Sequence, residues 1–79
     1  MIDEDALKQV VADVLGIDPA GIGPDTSMDS VEQWDSLRHM TLVLSIEDAF
    51  GITIPDEEAA EITSWPLIRL VVQEQAEAA

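Results

Sequence analysis

Residues 34–51 read WDSLRHMTLVLSIEDAFG, and the rest of the chain is organised around this stretch. Asp35 and Ser36 are residue types that favour a helix N-terminus, and Gly51 after Phe50 is a typical stop at a helix C-terminus. The stretch therefore predicts one helix of about fifteen residues.

Two apolar surfaces follow from the helical spacing of this stretch, whereas a simple amphipathic helix needs only one. The broader surface is predicted to pack on the core, and it consists of Leu42, Val43, Ile46, Ala49 and Phe50. The narrower surface, which we refer to as the second stripe, consists of Leu37, Met40 and Leu44. Its polar flanks argue against full burial, and they are Thr41, Glu47 and Asp48. An exposed apolar strip with an acidic rim, beginning beside a serine, indicates a docking surface next to an attachment point.

The composition indicates a small folded protein. The chain has 79 residues, 47% of them hydrophobic and 25% charged, so we expect a single domain over residues 1–79. Seventeen acidic residues against three basic ones give a formal net charge of -14. Partners should therefore present basic surfaces, and nucleic acid is excluded as a ligand class.

Cysteine is absent, which excludes disulfides, thiolate metal sites and a protein thiol nucleophile. Any thiol chemistry must come from a prosthetic group. The sequence shows neither a signal peptide nor an apolar stretch approaching the roughly twenty residues of a membrane span. These features predict a cytoplasmic monomer that is soluble.

The other segments predict an all-α fold. Residues 3–15 have helical apolar spacing, and residues 17–33 are dense in turn formers and predict a long loop. Residues 52–55 predict an extended connector, residues 56–62 a short third helix, and Ser64 can cap a fourth helix. The sum is a small four-helix bundle, with three longer helices and a short one, and with the long loop between helices 1 and 2.

Several apolar residues outside the second helix are expected to be buried. The long loop should be anchored by Ile17, Ile22 and Met28, and the third helix should bury Ala59 and Ile62. The fourth helix is expected to pack through Leu67, Ile68, Leu70, Val71 and Val72, and residues 74–79 are expected to fray.

These residues resemble the acyl carrier protein family over nearly the whole chain. Asp35-Ser36-Leu37 matches the family's Asp-Ser-Leu attachment motif, the long acidic helix follows, and 51–55 then read GITIP. Many family members have a glycine shortly before the motif, where this chain has Gln33-Trp34.

The resemblance implies a cofactor and a site. In the family, the serine hydroxyl carries a 4'-phosphopantetheine arm whose terminal thiol holds an acyl group as a thioester, and the matching residue here is Ser36. Asp35 and Leu37 complete the motif, and Asp35 would help to present the serine to a phosphopantetheinyl transferase, which uses coenzyme A and magnesium. Without the resemblance, Ser36 would be an ordinary helix cap.

A partner surface is predicted along the second helix. The expected contacts to acyl-loading and acyl-transferring enzymes are Met40, Thr41, Leu44, Glu47, Asp48 and Glu57. The alternative for the acids is a solvated face, and for those of the third helix, Glu57, Glu58 and Glu61, both interpretations remain open.

The other distinctive residues have structural interpretations. His39 is predicted to pack or to lie at a surface edge, and Trp34 and Trp65 to pack rather than to stack on a ligand. The loop acids Asp25 and Asp29 do not form a calcium loop, because the sixth and twelfth positions lack the required glycine and glutamate. No metal site is predicted.

Catalysis is not expected, because no Gly-x-Ser-x-Gly motif and only one histidine are available to activate Ser36. We expect a non-catalytic carrier that shelters apolar chains between its helices and serves fatty-acid, polyketide or related biosynthesis. Two alternatives remain: a peptidyl or aminoacyl carrier with the same attachment chemistry, and a small acidic helical adaptor without a prosthetic group.

Overall fold

The computed structural model describes residues 3–78, and the predicted all-α fold is confirmed. Helix α1 is Glu4–Leu15, α2 is Ser36–Phe50, α3 is Asp56–Glu61 and α4 is Trp65–Ala78. A 3₁₀ helix, Pro19–Gly21, interrupts the long loop between α1 and α2. Within the described residues, no helix combines the length and the apolar character that crossing a membrane requires.

Glycines follow both α1 and α2, and Gly51 confirms the helix stop that the sequence predicts. Gly16 follows α1 with a φ of 70°, and Gly51 follows α2 with a φ of 63°. The Gly16 N–H donates a hydrogen bond to the Ala12 carbonyl, and the Gly51 N–H donates one to the Glu47 carbonyl. A side chain is disfavoured in this left-handed conformation, so glycine allows the chain to reverse here.

One core joins all four helices. α1, α2 and α4 contribute buried apolar side chains, and α3 packs against them through Ala59. α1 and α2 make the broadest contact between elements. The core residues are Leu7, Val11, Ala12, Leu15, Ile22, Trp34, Leu42, Ile46, Ile52, Ile54, Ile62, Trp65, Ile68, Val71 and Val72. The predicted packing roles of Trp34 and Trp65 are confirmed.

The long loop is held in place by apolar anchors and by backbone pairing. Ile22 is buried, and Ile17 and Met28 pack against the core as half-buried side chains, as predicted. The Met28 N–H donates to the Thr63 carbonyl at 2.9 Å, within an isolated antiparallel bridge between the loop and the segment before α4. The loop therefore has a fixed shape where it approaches α2.

Three exposed side chains contradict the predicted packing faces. Ala49 lies about 60° around the α2 axis from the buried Ile46, at the border of the buried arc and on the last turn. In α4 the buried arc is set by Trp65, Ile68 and Val72, so Leu67 and Leu70 face away from the core.

The prediction that the chain frays from residue 74 is also wrong, because α4 continues to Ala78. The Gln75 amide donates to the Glu58 carboxylate of α3 at 2.8 Å, and Ala76 packs against the core. These two contacts fix the last turns of α4. Residue 79, which was included in the fraying prediction, lies outside the described residues.

Candidate functional site

Ser36 is the first residue of α2, and its side chain is exposed. The preceding Asp35 caps the helix, since its Oδ1 accepts a hydrogen bond from the Arg38 N–H at 2.8 Å. The carbonyl of Asp35 accepts the His39 N–H at 2.9 Å, which completes the first turn. The cap is therefore Asp35, and the Ser36 hydroxyl is presented to solvent at the helix N-terminus.

This placement suits a negatively charged group on the serine. The unpaired N–H groups and the macrodipole give a helix N-terminus a partial positive charge, which favours anions such as phosphate. A phosphate ester on Ser36 would lie at this end of a fifteen-residue helix. The geometry thus fits the phosphodiester that joins a phosphopantetheine arm to a serine.

The second stripe is exposed, as predicted. The exposed fractions are 74% for Leu37, 65% for Met40 and 64% for Leu44, whereas Leu42 and Ile46 on the opposite side of α2 are fully buried. Large apolar side chains exposed together along one helix, beside the candidate serine, form a surface suited to a partner.

A groove of about 330 Å³ lies between α2 and α3. Met40, Val43 and Leu44 form the α2 wall, and Ala59 and Ala60 contribute from α3. The remaining lining residues are His39, Glu47, Ile54 and Asp56. Met40 and Leu44 of the second stripe therefore also line an apolar groove. The helical spacing of α2 alone does not predict this overlap.

Glu47 has a structural contact that the sequence did not predict. Its Oε2 accepts a hydrogen bond from the Ile54 N–H at 2.7 Å, and the side chain is half-buried. This bond links the last turns of α2 to the connector that leads into α3. The exposed acids Asp48 and Glu57 remain on the surface, as does Thr41, whose hydroxyl donates to the Leu37 carbonyl.

The three basic side chains all make contacts within the protein. Arg38 donates from Nη1 to the Val14 carbonyl at the end of α1, at 2.9 Å. Arg69 pairs with Glu4 at 3.2 Å, and the Lys8 ammonium lies 5.7 Å from the centre of the Trp65 ring. The rim of the second stripe therefore keeps its acidic character.

Known proteins resemble the chain in both sequence and fold. A family profile described as "Phosphopantetheine attachment site" matches residues 5–65. The acyl carrier protein of Rubrobacter xylanophilus is 40% identical over 58 residues, which cover 73% of this chain and 72% of that protein. The acyl carrier protein of Thermosynechococcus vestitus is 39% identical over 56 residues, covering 71% and 69%.

The fold has a close counterpart among solved structures. The solution NMR structure of the holo acyl carrier protein from Geobacter metallireducens superposes with a TM-score of 0.83 and 26% identity, covering 94% of this chain and 85% of that one. Together with the profile match, these similarities establish the family and its cofactor. The chain belongs to the acyl carrier protein family, non-catalytic carriers with a covalently bound phosphopantetheine.

Proposed function

We propose that Ser36 is the residue that carries the 4'-phosphopantetheine arm. The observation that supports this most directly is its position: an exposed hydroxyl at the first residue of α2, directly after the Asp35 cap. The arm's thiol then holds an acyl group as a thioester, which supplies the thiol chemistry that a chain without cysteine lacks.

The cargo in this proposal is an acyl intermediate of fatty-acid, polyketide or related biosynthesis. The apolar walls of the groove between α2 and α3 support acyl over aminoacyl cargo, because an apolar chain gains free energy by leaving water there. The groove begins one turn after Ser36, so an arm attached at Ser36 would start close to it.

The partners are a phosphopantetheinyl transferase and the enzymes that load and remove the acyl group. We propose that they dock on the second stripe together with Thr41, Asp48 and Glu57, with Glu47 contributing through the oxygen that Ile54 leaves free. A net charge of -14 supports basic docking surfaces. The absence of cysteine is compatible with work in the cytoplasm.

The test is intact-mass analysis after incubation with coenzyme A, magnesium and a broad-specificity transferase. The wild type should gain one phosphopantetheine group, and Ser36→Ala should gain none. Ser30→Ala is the matched control, because Ser30 is also exposed but lies in the long loop, and it should be modified like the wild type. An unmodified wild type would favour the adaptor without a prosthetic group, and a modified Ser36→Ala would place the arm elsewhere.

A further inference from the structure

Each ring nitrogen of His39 takes part in one hydrogen bond. Its Nδ1 accepts the indole N–H of Trp34 at 3.1 Å, and its Nε2 lies 2.7 Å from the Ala59 carbonyl oxygen. An indole nitrogen only donates and a carbonyl oxygen only accepts. The two contacts together therefore require the neutral imidazole with its hydrogen on Nε2.

These bonds connect three parts of the molecule. His39 belongs to the first turn of α2, Ala59 belongs to α3, and the buried Trp34 ends the long loop two residues before Ser36. The Trp34 and His39 rings also stack, with centroids 6.1 Å apart and planes inclined by 24°. One imidazole thus contacts both the segment that presents Ser36 and the opposite wall of the groove.

We propose that His39 is a positioning residue that holds the Ser36 segment and α3 against α2, and that it does so only as the neutral Nε2–H tautomer. The bond to Ala59 sets the width of the groove. This matters for cargo only if Ser36 carries the arm, so this part of the inference rests on the proposed function. The bond to Trp34 sets the orientation of the turn that presents Ser36.

Protonation affects the two bonds differently. A proton on Nδ1 places an N–H against the indole N–H of Trp34, so that bond is lost and a buried donor is left without its acceptor. The Nε2–H keeps its bond to Ala59. Loss of the Nδ1 acceptor should therefore release the Trp34 segment while α3 stays attached.

The charged neighbours of His39 come from three elements. Glu47 of α2 and Asp56 of α3 line the same groove, and Asp35 precedes α2 as its cap. Arg38 is directed toward α1, where it donates to Val14. Comparing His39 variants at a single pH therefore holds the charges of these neighbours constant.

Two substitutions of His39 each remove one of the two hydrogen bonds and keep the other. His39→Asn places an oxygen at the position of Nδ1 and keeps an acceptor for Trp34, but it has no atom that reaches Ala59. His39→Gln places an N–H at the position of Nε2 and keeps the donor to Ala59, but it removes the acceptor for Trp34. Each variant is therefore the control for the other.

The experiment is hydrogen exchange followed by NMR on the unmodified protein. The indole N–H of Trp34 reports on the loop, that of Trp65 is the internal reference, and the backbone N–H groups of Ala59 and Ile62 report on α3. In His39→Gln the Trp34 indole should exchange roughly three- to tenfold faster while α3 stays within about twofold of the wild type. In His39→Asn the pattern should be reversed.

Trp34→Phe retains the ring stack but has no indole N–H, so adding His39→Gln to it should leave the exchange of the loop amides unchanged.

Equal exchange in the two His39 variants would overturn the proposal. Because no arm is attached in this experiment, a negative result here leaves the modification of Ser36 unaffected, and a failure of modification leaves the result here unaffected. If a His39 variant does not fold, Trp34→Phe still decides the question, because it removes the same bond from the other partner. Its loop amides should exchange faster than in the wild type while α3 is unchanged, and unchanged loop amides would overturn the proposal.

Discussion

The two sides of α2 contain similar side chains in opposite environments. Leu42 and Ile46 are fully buried, whereas Leu37 and Leu44, within a few residues of them, are mostly exposed. Burying a leucine side chain contributes about 1.5 to 3 kcal/mol to folding, and the second stripe forgoes most of that contribution. One helix can therefore supply core residues on one side. On its other side it can present an apolar surface that is stabilised only when a partner covers it.

The largest effect should come from the buried side. Ile46→Ala removes a fully buried side chain and leaves a cavity, so the free energy of unfolding should fall by about 2 to 5 kcal/mol. Met40→Ala on the second stripe should change it by about 0.5 kcal/mol or less. Urea unfolding of both variants measures the contrast. Equal losses would mean that the second stripe is part of the core.

A smaller effect should separate two acids that the sequence treats alike. Glu47→Ala removes the acceptor of the buried Ile54 N–H, so we expect a loss of about 1 to 3 kcal/mol in the free energy of unfolding. The neighbouring Asp48 is exposed, and Asp48→Ala should leave stability within about 0.5 kcal/mol. Urea unfolding of both variants tests this pair, and an Asp48→Ala loss as large as that of Glu47→Ala would contradict it.

The same pair also decides which acid is suitable for docking experiments. Charge reversal of Asp48 should slow the encounter with a basic transferase without affecting the fold, and the defect should shrink as salt screens the wild-type attraction. Charge reversal of Glu47 would combine a docking effect with a folding effect. A salt-independent defect in Asp48→Lys would show that its charge does not steer the encounter.

Local chemistry explains what the sequence predicts well. Both ends of α2 depend on residues next to them, since Asp35 caps the first turn and Gly51 adopts the left-handed conformation after the last. The two faces follow from a 3.6-residue period over fifteen residues, and Ala49 at the border is the one residue assigned to the wrong face. Ser36, the proposed attachment serine, is distinguished by its motif and by its place at the start of this helix.

Contacts between distant residues explain what the sequence does not predict. The exposure of Leu67 and Leu70 depends on where α4 meets the core, which a short apolar run does not specify. The bonds of His39 to Ala59, Arg38 to Val14 and Glu47 to Ile54 each need two elements to be placed first. The groove depends on how α3 is placed against α2, and the apolar pattern of neither helix predicts that placement.

The most direct test compares an exposed leucine beside Ser36 with an exposed leucine far along the chain. Leu37 is 74% exposed and does not line the groove, and Leu70 on α4 is 53% exposed. Both alanine variants should unfold within about 0.5 kcal/mol of the wild type. The measurement is the rate of phosphopantetheinylation under kcat/KM conditions: Leu37→Ala should react about tenfold more slowly, as expected for loss of an interface anchor, and Leu70→Ala at the wild-type rate. Equal rates for the two variants would contradict the assignment of the second stripe as the recognition surface.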